Sequence, residues 1–171
     1  RVAAAGFKEI AITGVQLGSY GRDLQPASSL LSLVRALALS SIDVTFRISS
    51  LEPMDCTPDI VDGVAASGGR VAPHFHLPLQ HASDRMLRLM RRPYTLAYYR
   101  DLVDSIVAVL PHASIGTDMI VGFPGETADD FEADMSYLPT SPLSHVHVFP
   151  YSDRPGTEAE AMSAKVPGTV I

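Results

Sequence analysis

Two His-x-His pairs are the residues of this chain whose type and spacing could most directly do chemistry: His74 with His76, and His145 with His147. Each pair falls in a predicted β-strand, so its two imidazoles would lie on the same face, as in metal hydrolases. Their position argues against a metal role, because His76 lies four residues before Gln80, or roughly 13 Å along a strand. We therefore expect these histidines to be hydrogen-bonded and to lie at the opposite end of the strands from Gln80. A metal-dependent hydrolase is kept as an alternative.

A second set of candidate residues follows the ends of the predicted strands. Binding sites in parallel α/β folds lie at the carboxyl ends of strands. There the chain has glycines, which allow a ligand close to the backbone, and polar groups that can bind hydroxyls or an amine; they are Gly14, Gln80, Ser83, Asp118 and Gly122. Tight turns favour such residues without any ligand, but five loops of this kind on one rim favour a single small-ligand site.

Several familiar site motifs are missing. The chain has no Gly-x-Gly-x-x-Gly fingerprint, no Walker loop and no Gly-x-Ser-x-Gly elbow, which argues against sites for nucleotide phosphates or a serine nucleophile. Its one cysteine, Cys56, excludes an internal disulfide and a metal site built from several thiolates of this chain. The rim therefore suits an uncharged or zwitterionic small ligand.

The elements that position these residues alternate between strand and helix. Strands are predicted at residues 9–13, 44–49, 74–79, 114–121 and 145–151, and helix starts are marked by hydroxyl residues that can cap free amides, namely Ser29, Thr57, Ser83, Thr95 and Thr127. The alternation indicates an α/β fold of parallel (βα) repeats. Five units allow either an open doubly wound sheet or part of a TIM-like barrel, because a closed barrel needs roughly 250 residues.

Composition limits the partners. The chain has 13 Lys and Arg against 19 Asp and Glu, a net charge of −6, which argues against a dominant nucleic-acid surface, and no DNA partner is expected. Four arginines lie between residues 85 and 92, and we interpret them as a solvated helix face. No apolar run approaches the roughly 18 residues of a membrane span. We therefore expect no membrane partner, and the single cysteine suits a reducing cytoplasm.

Five segments, in order, resemble the radical S-adenosylmethionine methylthiotransferases; they are TGVQLGSYGRDL (13–24), RISSLEP (47–53), HLPLQHASDRMLRLMRRPYT (76–95), TDMIVGFPGET (117–127) and HVFPYSDRPGT (147–157). The resemblance implies a radical SAM partial barrel of about five βα units. LGSYGRDL and RISSLEP look most like the branch that inserts a methylthio group at C2 of threonylcarbamoyladenosine, next to the tRNA anticodon, through a 5′-deoxyadenosyl radical. Sister branches, which modify isopentenyladenosine in tRNA or an aspartate of a ribosomal protein, are alternatives. So is a non-catalytic module that binds RNA or a protein.

The resemblance also implies S-adenosyl-L-methionine and 4Fe-4S clusters as cofactors and tRNA as partner. One family cluster is held by a CxxxCxxC loop, which this chain lacks. We therefore expect the S-adenosylmethionine-contacting part of a longer enzyme, inactive alone, with no cluster ligand, other metal ligand or catalytic residue of its own. Residues 1–153 are predicted to form the barrel domain, and residues 154–171 a linker toward an RNA-binding domain.

Cofactor contacts are carried over from the family to matching residues. The glycine-rich segment near the methionine amine is Gly14, Val15 and Gln16; Gln80 and Ser83 match positions near the ribose and methionine carboxylate; Asp118 is a further polar candidate. The stretch against adenine is Ile120, Val121 and Gly122, and the last strand contributes Phe149 and Tyr151. Charged candidates for the methionine end or the substrate are Arg47, Glu52 and Arg85.

Overall fold

Five parallel strands alternate with helices over residues 1–170, which the computed structural model describes. The strands are β1 (Glu9–Ile12), β2 (Thr45–Ile48), β3 (His74–His76), β4 (Ser114–Val121) and β5 (His145–Pro150). The helices are α1 (Leu30–Ala38), α2 (Pro58–Ala65), α3 (Asp84–Leu89), α4 (Leu96–Val109) and α5 (Ala128–Tyr137). The predicted alternation of strands and helices is confirmed.

The strands follow one another across the fold in chain order. β1 pairs with β2, and β3 pairs with β4, which pairs with β5, all in parallel. Between the two ladders there are isolated parallel bridges, from Phe46 to Val71 and from Ser50 to His76. Over the described residues the arc does not close, and β1 and β5 lie at its edges. This is the α/β arrangement predicted for part of a barrel.

The two faces of β4 have different environments, as the period of two in a strand requires. Ile115 and Met119 are buried in the core, together with Tyr99 and Val103 of α4. Asp118, on the opposite face, points into the arc and lines cavities there. The helix-covered face thus supplies stability, and the other face is available for ligands.

β3 is shorter than the predicted strand 74–79, because the regular ladder to β4 stops after Leu77 N, which donates to Gly116 O at 2.9 Å. The Thr117 hydroxyl takes over at this point, accepting from Leu79 N at 2.8 Å and donating to Leu77 O at 2.9 Å. Backbone pairing with β4 resumes at Gln80, whose N–H donates to Asp118 O at 2.8 Å. The buried Thr117 hydroxyl therefore joins β4 to the residues on both sides of Pro78, up to the point where backbone pairing resumes at Gln80.

Helix starts follow the sequence signals with one exception. The side chains of Ser29, Ser83, Thr95 and Thr127 each accept an N–H bond from their own helix, and Thr127 forms a full capping box with Asp130. Thr57 was predicted to cap α2 with its side chain but makes no such bond; Ile60 N bonds the Thr57 main-chain oxygen at 2.9 Å instead. Within residues 1–170, no helix combines the length and apolarity needed to cross a membrane.

Candidate functional site

A cavity of about 440 Å³ opens at the carboxyl ends of β4 and β5, a volume within the range of small-molecule sites. Five residues predicted from the sequence line it together: Gln80, Asp118, Ile120, Phe149 and Tyr151. Ile120 and Phe149 are register partners on neighbouring strands, so their side chains form one apolar wall. The cavity combines this wall with an amide and a carboxylate, as a site for an aromatic, polar-edged ligand requires. We call it the rim cavity.

Gln80 has an uncommon backbone conformation, with φ of 75° in a residue that carries a Cβ. The residue is 8% exposed, and its N–H and C=O are both bonded to β4, to Asp118 O and Ile120 N. A positive φ outside glycine costs free energy, and such residues concentrate at binding and catalytic sites. The ladder to β4 therefore holds Gln80 in a strained conformation at the edge of the rim cavity.

An aromatic pair closes one side of the rim cavity. The rings of Phe123 and Tyr151 meet edge to face, with centroids 5.3 Å apart. The Tyr151 hydroxyl donates to Asp153 Oδ1 at 2.8 Å, and Lys165 Nζ lies 5.2 Å from the Tyr151 ring centre. Burial and the Asp153 carboxylate raise the pKa of Tyr151, so this hydroxyl stays protonated at neutral pH and acts as a donor.

Residues after 153 complete the rim cavity, a contribution that sequence reasoning missed. Arg154, Thr157 and Ala159 line it, and Gly125 N donates to Ala164 O at 2.6 Å. The signal was available, because the quoted segment HVFPYSDRPGT extends to Thr157. The division at residue 153 into a domain and a linker stays a prediction, and its last residue, Ile171, lies outside the described residues.

Val121 and Gly122 line a different cavity, of about 500 Å³, with Glu126 and Phe131 among its other lining residues. Gly122 has φ of 77°, a conformation that glycine adopts without strain. Glu126 Oε2 accepts from Gly122 N at 2.8 Å and from Phe123 N at 3.2 Å. This carboxylate therefore fixes the turn between β4 and α5, and the contact of Val121 and Gly122 with adenine stays a prediction.

Ser83 and Arg85 are engaged in a network with Asp130. The Ser83 hydroxyl donates to Asp130 Oδ1 at 2.6 Å, Arg85 forms an ion pair with the same carboxylate, and Arg85 also donates to Gly125 O at 2.6 Å. Burial would raise the pKa of Asp130, but hydrogen bonds from Arg85, Ser83 and Thr127 hold it well below its usual range. The network joins the starts of α3 and α5, so both side chains have structural partners. Their proposed ligand contacts stay predictions.

The remaining carried-over residues lie away from the rim cavity lining. Gly14, Val15 and Gln16 follow β1, and all three are exposed. Arg47 Nε donates to Glu9 Oε1 at 2.8 Å, and Glu52 forms an ion pair with Arg92 at 3.1 Å. The structure therefore brings five of the predicted residues together: Gln80, Asp118, Ile120, Phe149 and Tyr151. Within residues 1–170, the other predicted site residues lie outside the rim cavity lining.

The paired histidines lie inside the arc and reach the same carboxylate as the rim cavity. His76 Nε2 is 3.1 Å from Asp118 Oδ1, and His147 Nδ1 is 3.2 Å from the same oxygen. The expectation that the histidines lie apart from the site is wrong in this respect, because distance along one strand does not limit contacts between strands. Asp118 lines both the rim cavity and a cavity of about 370 Å³ that also contains His74 and His145. We call the latter the inner cavity.

His81 follows Gln80 and is fully buried, which the sequence did not indicate. Its Nδ1 lies 3.0 Å from both Ser83 N and Asp134 Oδ1, and Asp134 Oδ1 accepts from Ala82 N at 2.6 Å. A residue of α5 is thereby joined to the segment that positions Gln80. His81 and Asp134 are thus structural supports of the rim.

Cys56 does not offer a cluster ligand. It is 2% exposed, and burial raises the pKa of its thiol to about 12, whereas iron–sulfur clusters are held by several deprotonated thiols. Residues of this chain therefore do not fit an iron–sulfur cluster.

Comparison with known proteins adds independent information. A family model described as "Radical SAM superfamily" matches residues 2–138. Threonylcarbamoyladenosine tRNA methylthiotransferase MtaB of Aquifex aeolicus is 40% identical over 97% of this chain and 40% of its own length; the enzyme of the same name from Treponema pallidum is 43% identical over 96% and 33%. A tRNA-2-methylthio-N(6)-dimethylallyladenosine synthase of Pelotomaculum thermopropionicum is 39% identical over 97% of this chain and 37% of its own length. The chain thus spans two fifths or less of the length of these relatives.

Solved structures share the fold. Coproporphyrinogen III oxidase (HemN) from Escherichia coli, described as a radical SAM enzyme, superposes with a TM-score of 0.61 at 18% identity, over 74% of this chain and 29% of its own. Elp3 of Methanocaldococcus infernus gives 0.60 at 14% identity, over 94% and 42%. At such identities the likeness concerns the fold alone, and it agrees with the open parallel arc described above.

Proposed function

This chain belongs to the radical SAM superfamily, and we propose that it is the (βα) repeat portion of a tRNA methylthiotransferase. The observation that carries the proposal is about 40% identity, over nearly the whole chain, to enzymes named for that activity. We further propose threonylcarbamoyladenosine as the modified base, with the methylthio group placed at C2. The relatives named for this base are 40–43% identical to the chain, and those named for dimethylallyladenosine are 35–39% identical, which favours the former by a small margin.

The rim cavity supports binding of the adenosyl part of S-adenosylmethionine. Ile120 and Phe149 offer an apolar surface on which a purine can pack, and Gln80 and Asp118 offer polar groups at its edge. Phe123 and Tyr151 shield that position from water on one side. S-adenosylmethionine, when bound, would supply the 5′-deoxyadenosyl radical and leave methionine once the cluster of the full-length enzyme donates one electron, and a second S-adenosylmethionine would supply the methyl group. The side chains of the rim cavity would hold and orient the cofactor.

Cluster chemistry needs several thiolates, whereas this chain has the single cysteine Cys56, and burial raises the pKa of its thiol to about 12. In the proposed enzyme the thiolates come from sequence outside these 171 residues, consistent with the absent CxxxCxxC motif. The methionine end of the cofactor would lie toward Gly14, Val15 and Gln16, which follow β1 at the other edge of the arc. The same proposal includes tRNA as the partner and a cytoplasmic location. It also includes residues 154–171 as a linker to an RNA-binding domain.

The test is a modification assay with the full-length enzyme, reconstituted anaerobically with its clusters. We expect methylthiolation of tRNA carrying threonylcarbamoyladenosine, detected by mass spectrometry of nucleosides, and formation of 5′-deoxyadenosine. tRNA carrying dimethylallyladenosine serves as the matched competitor. Modification of the competitor alone would make the base assignment wrong, and release of no 5′-deoxyadenosine with either tRNA would overturn the function.

A further inference from the structure

Three potential metal ligands meet inside the arc, one from each of three neighbouring strands. They are His76 on β3, Asp118 on β4 and His147 on β5, and their ligand atoms all lie within 4.8 Å of one another. The sequence pairs His74 with His76 and His145 with His147, but the fold selects one member of each pair and adds a carboxylate. Two imidazoles and one carboxylate form a recurring ligand set for divalent transition metals.

The distances suit a cation without major rearrangement. Ligand atoms bound to zinc at about 2.0–2.1 Å in a tetrahedral arrangement are roughly 3.3 Å from one another. Asp118 Oδ1 lies 3.1 Å from His76 Nε2 and 3.2 Å from His147 Nδ1. Small rotations of the three side chains would therefore place all three ligand atoms around one ion.

Strand register fixes this arrangement. His76 is the register partner of Gly116, Gly116 is the partner of His145, and Asp118 is the partner of His147. Gly116 leaves room for the His145 ring, which lies over it where a Cβ would stand. Side chains on paired strands are held more precisely than side chains on loops. The ligand set thus has the rigidity that a metal site needs.

The charge of the inner cavity is compatible with a cation. Asp118 supplies one negative charge. Arg47 also lines the inner cavity, but its guanidinium is bonded to Glu9 on β1 at 2.8 Å.

We propose that His76, Asp118 and His147 bind one divalent first-row transition-metal cation, such as Zn²⁺ or Fe²⁺. Three protein ligands leave at least one coordination position open. Since Asp118 also lines the rim cavity, that position is accessible to a water molecule or to a nitrogen or sulfur atom of a molecule bound there. The site is independent of the cluster chemistry of the proposed function, because it uses no thiolate.

The test is metal titration of this chain, prepared without a histidine tag, in the absence of S-adenosylmethionine and tRNA. We expect one Co²⁺ per chain, seen as visible absorption bands of low-symmetry coordination, displacement by Zn²⁺, and a dissociation constant in the micromolar range or tighter. His76→Gln and Asp118→Asn should each weaken Zn²⁺ binding by about 100-fold or more, beyond the 10- to 100-fold effect of losing a supporting group. Far-ultraviolet circular dichroism of each variant verifies folding.

His145→Gln is the matched control, because His145 lies in the same cavity, with its ring centre 5.4 Å from that of His147, but outside the ligand set. We expect its affinity for Zn²⁺ to equal that of the parent chain. Millimolar binding by the parent, an equal loss in His145→Gln, or unchanged affinity in folded Asp118→Asn would each overturn the site. Asp118 would then be a hydrogen-bond acceptor between two imidazoles, and the methylthiotransferase proposal would be unaffected.

Discussion

Replacement of Gln80 by glycine and by alanine separates two quantities. One is the free-energy cost of its left-handed backbone conformation, and the other is the contribution of its side chain to ligand binding. Both Gln80→Gly and Gln80→Ala remove the amide that lines the rim cavity together with the Cγ methylene, and Gln80→Gly also removes Cβ. They differ in backbone freedom, because glycine adopts φ of 75° without the Cβ clash that alanine retains. The difference in stability between the two variants therefore measures the strain at this position.

The magnitude follows from two opposing terms. A left-handed conformation costs a non-glycine residue about 1–2 kcal/mol, and glycine loses an extra 0.5–1 kcal/mol or so of entropy on folding. Gln80→Gly should therefore be more stable than Gln80→Ala by roughly 0.75 kcal/mol, the difference between the midpoints of these ranges, with the order opposite to that at ordinary helix positions. Exposed Ala108 of α4 is such a position, and Ala108→Gly should destabilise the chain by about 0.5–1 kcal/mol.

The assay combines urea unfolding of each variant with calorimetric binding of S-adenosylmethionine to the reconstituted full-length enzyme. Arg91 is the matched control, because it also has a positive φ, 56°, but lies exposed and in an ion pair with Glu158. Arg91→Gly should keep the affinity of the parent, whereas Gln80→Gly should lose about tenfold, the worth of one hydrogen bond at about 1.4 kcal/mol. A Gln80→Ala variant at least as stable as Gln80→Gly would refute the strain, and unchanged affinity would refute the site.

Gly122→Val is a poorer test, because φ of 77° there would strain valine and confound folding with binding.

Three further predictions concern groups described above. Thr117→Val should lower the free energy of unfolding in urea by about 1–3 kcal/mol, because Leu79 N loses its buried acceptor; a neutral result would mean that water replaces the hydroxyl. Because the fold lowers the pKa of Asp130, its carboxylate stabilises the protein above the unfolded pKa of about 3.9, and this stabilisation is lost as pH falls below about 4. Asp130→Asn should therefore flatten the acid side of the stability curve, while Asp129→Asn, at an exposed neighbour, should leave it unchanged; equal slopes in all three proteins would contradict the assignment. Cys56, 2% exposed with a pKa of about 12, should react with a thiol reagent only on unfolding, and rapid labelling of the native chain would show the opposite.

The sequence by itself determined the local structure and the order of the elements. Helix starts at Ser29, Ser83, Thr95 and Thr127 were readable because a cap and its amides lie within one turn. The eight-residue strand β4 was predicted at its observed bounds. Parallel pairing followed from the alternation of strands and helices. Of the rim cavity residues on or next to β4 and β5, Asp118 followed from the strand-end position, whereas Ile120, Phe149 and Tyr151 followed from the family resemblance.

Tertiary structure decided which side chains meet. The end of β3 at His76 depends on a hydroxyl from Thr117, which lies 38 positions from the amide of Leu79 that it accepts from. The motif that ends at Thr157 was readable, but the fold decides that Arg154, Thr157 and Ala159 line the rim cavity. The triad of His76, Asp118 and His147 depends on the register between three strands, and register is a property of pairing across the sheet. Spacing along one strand could show two histidines on one face, but only the packed arc sets Asp118 between them.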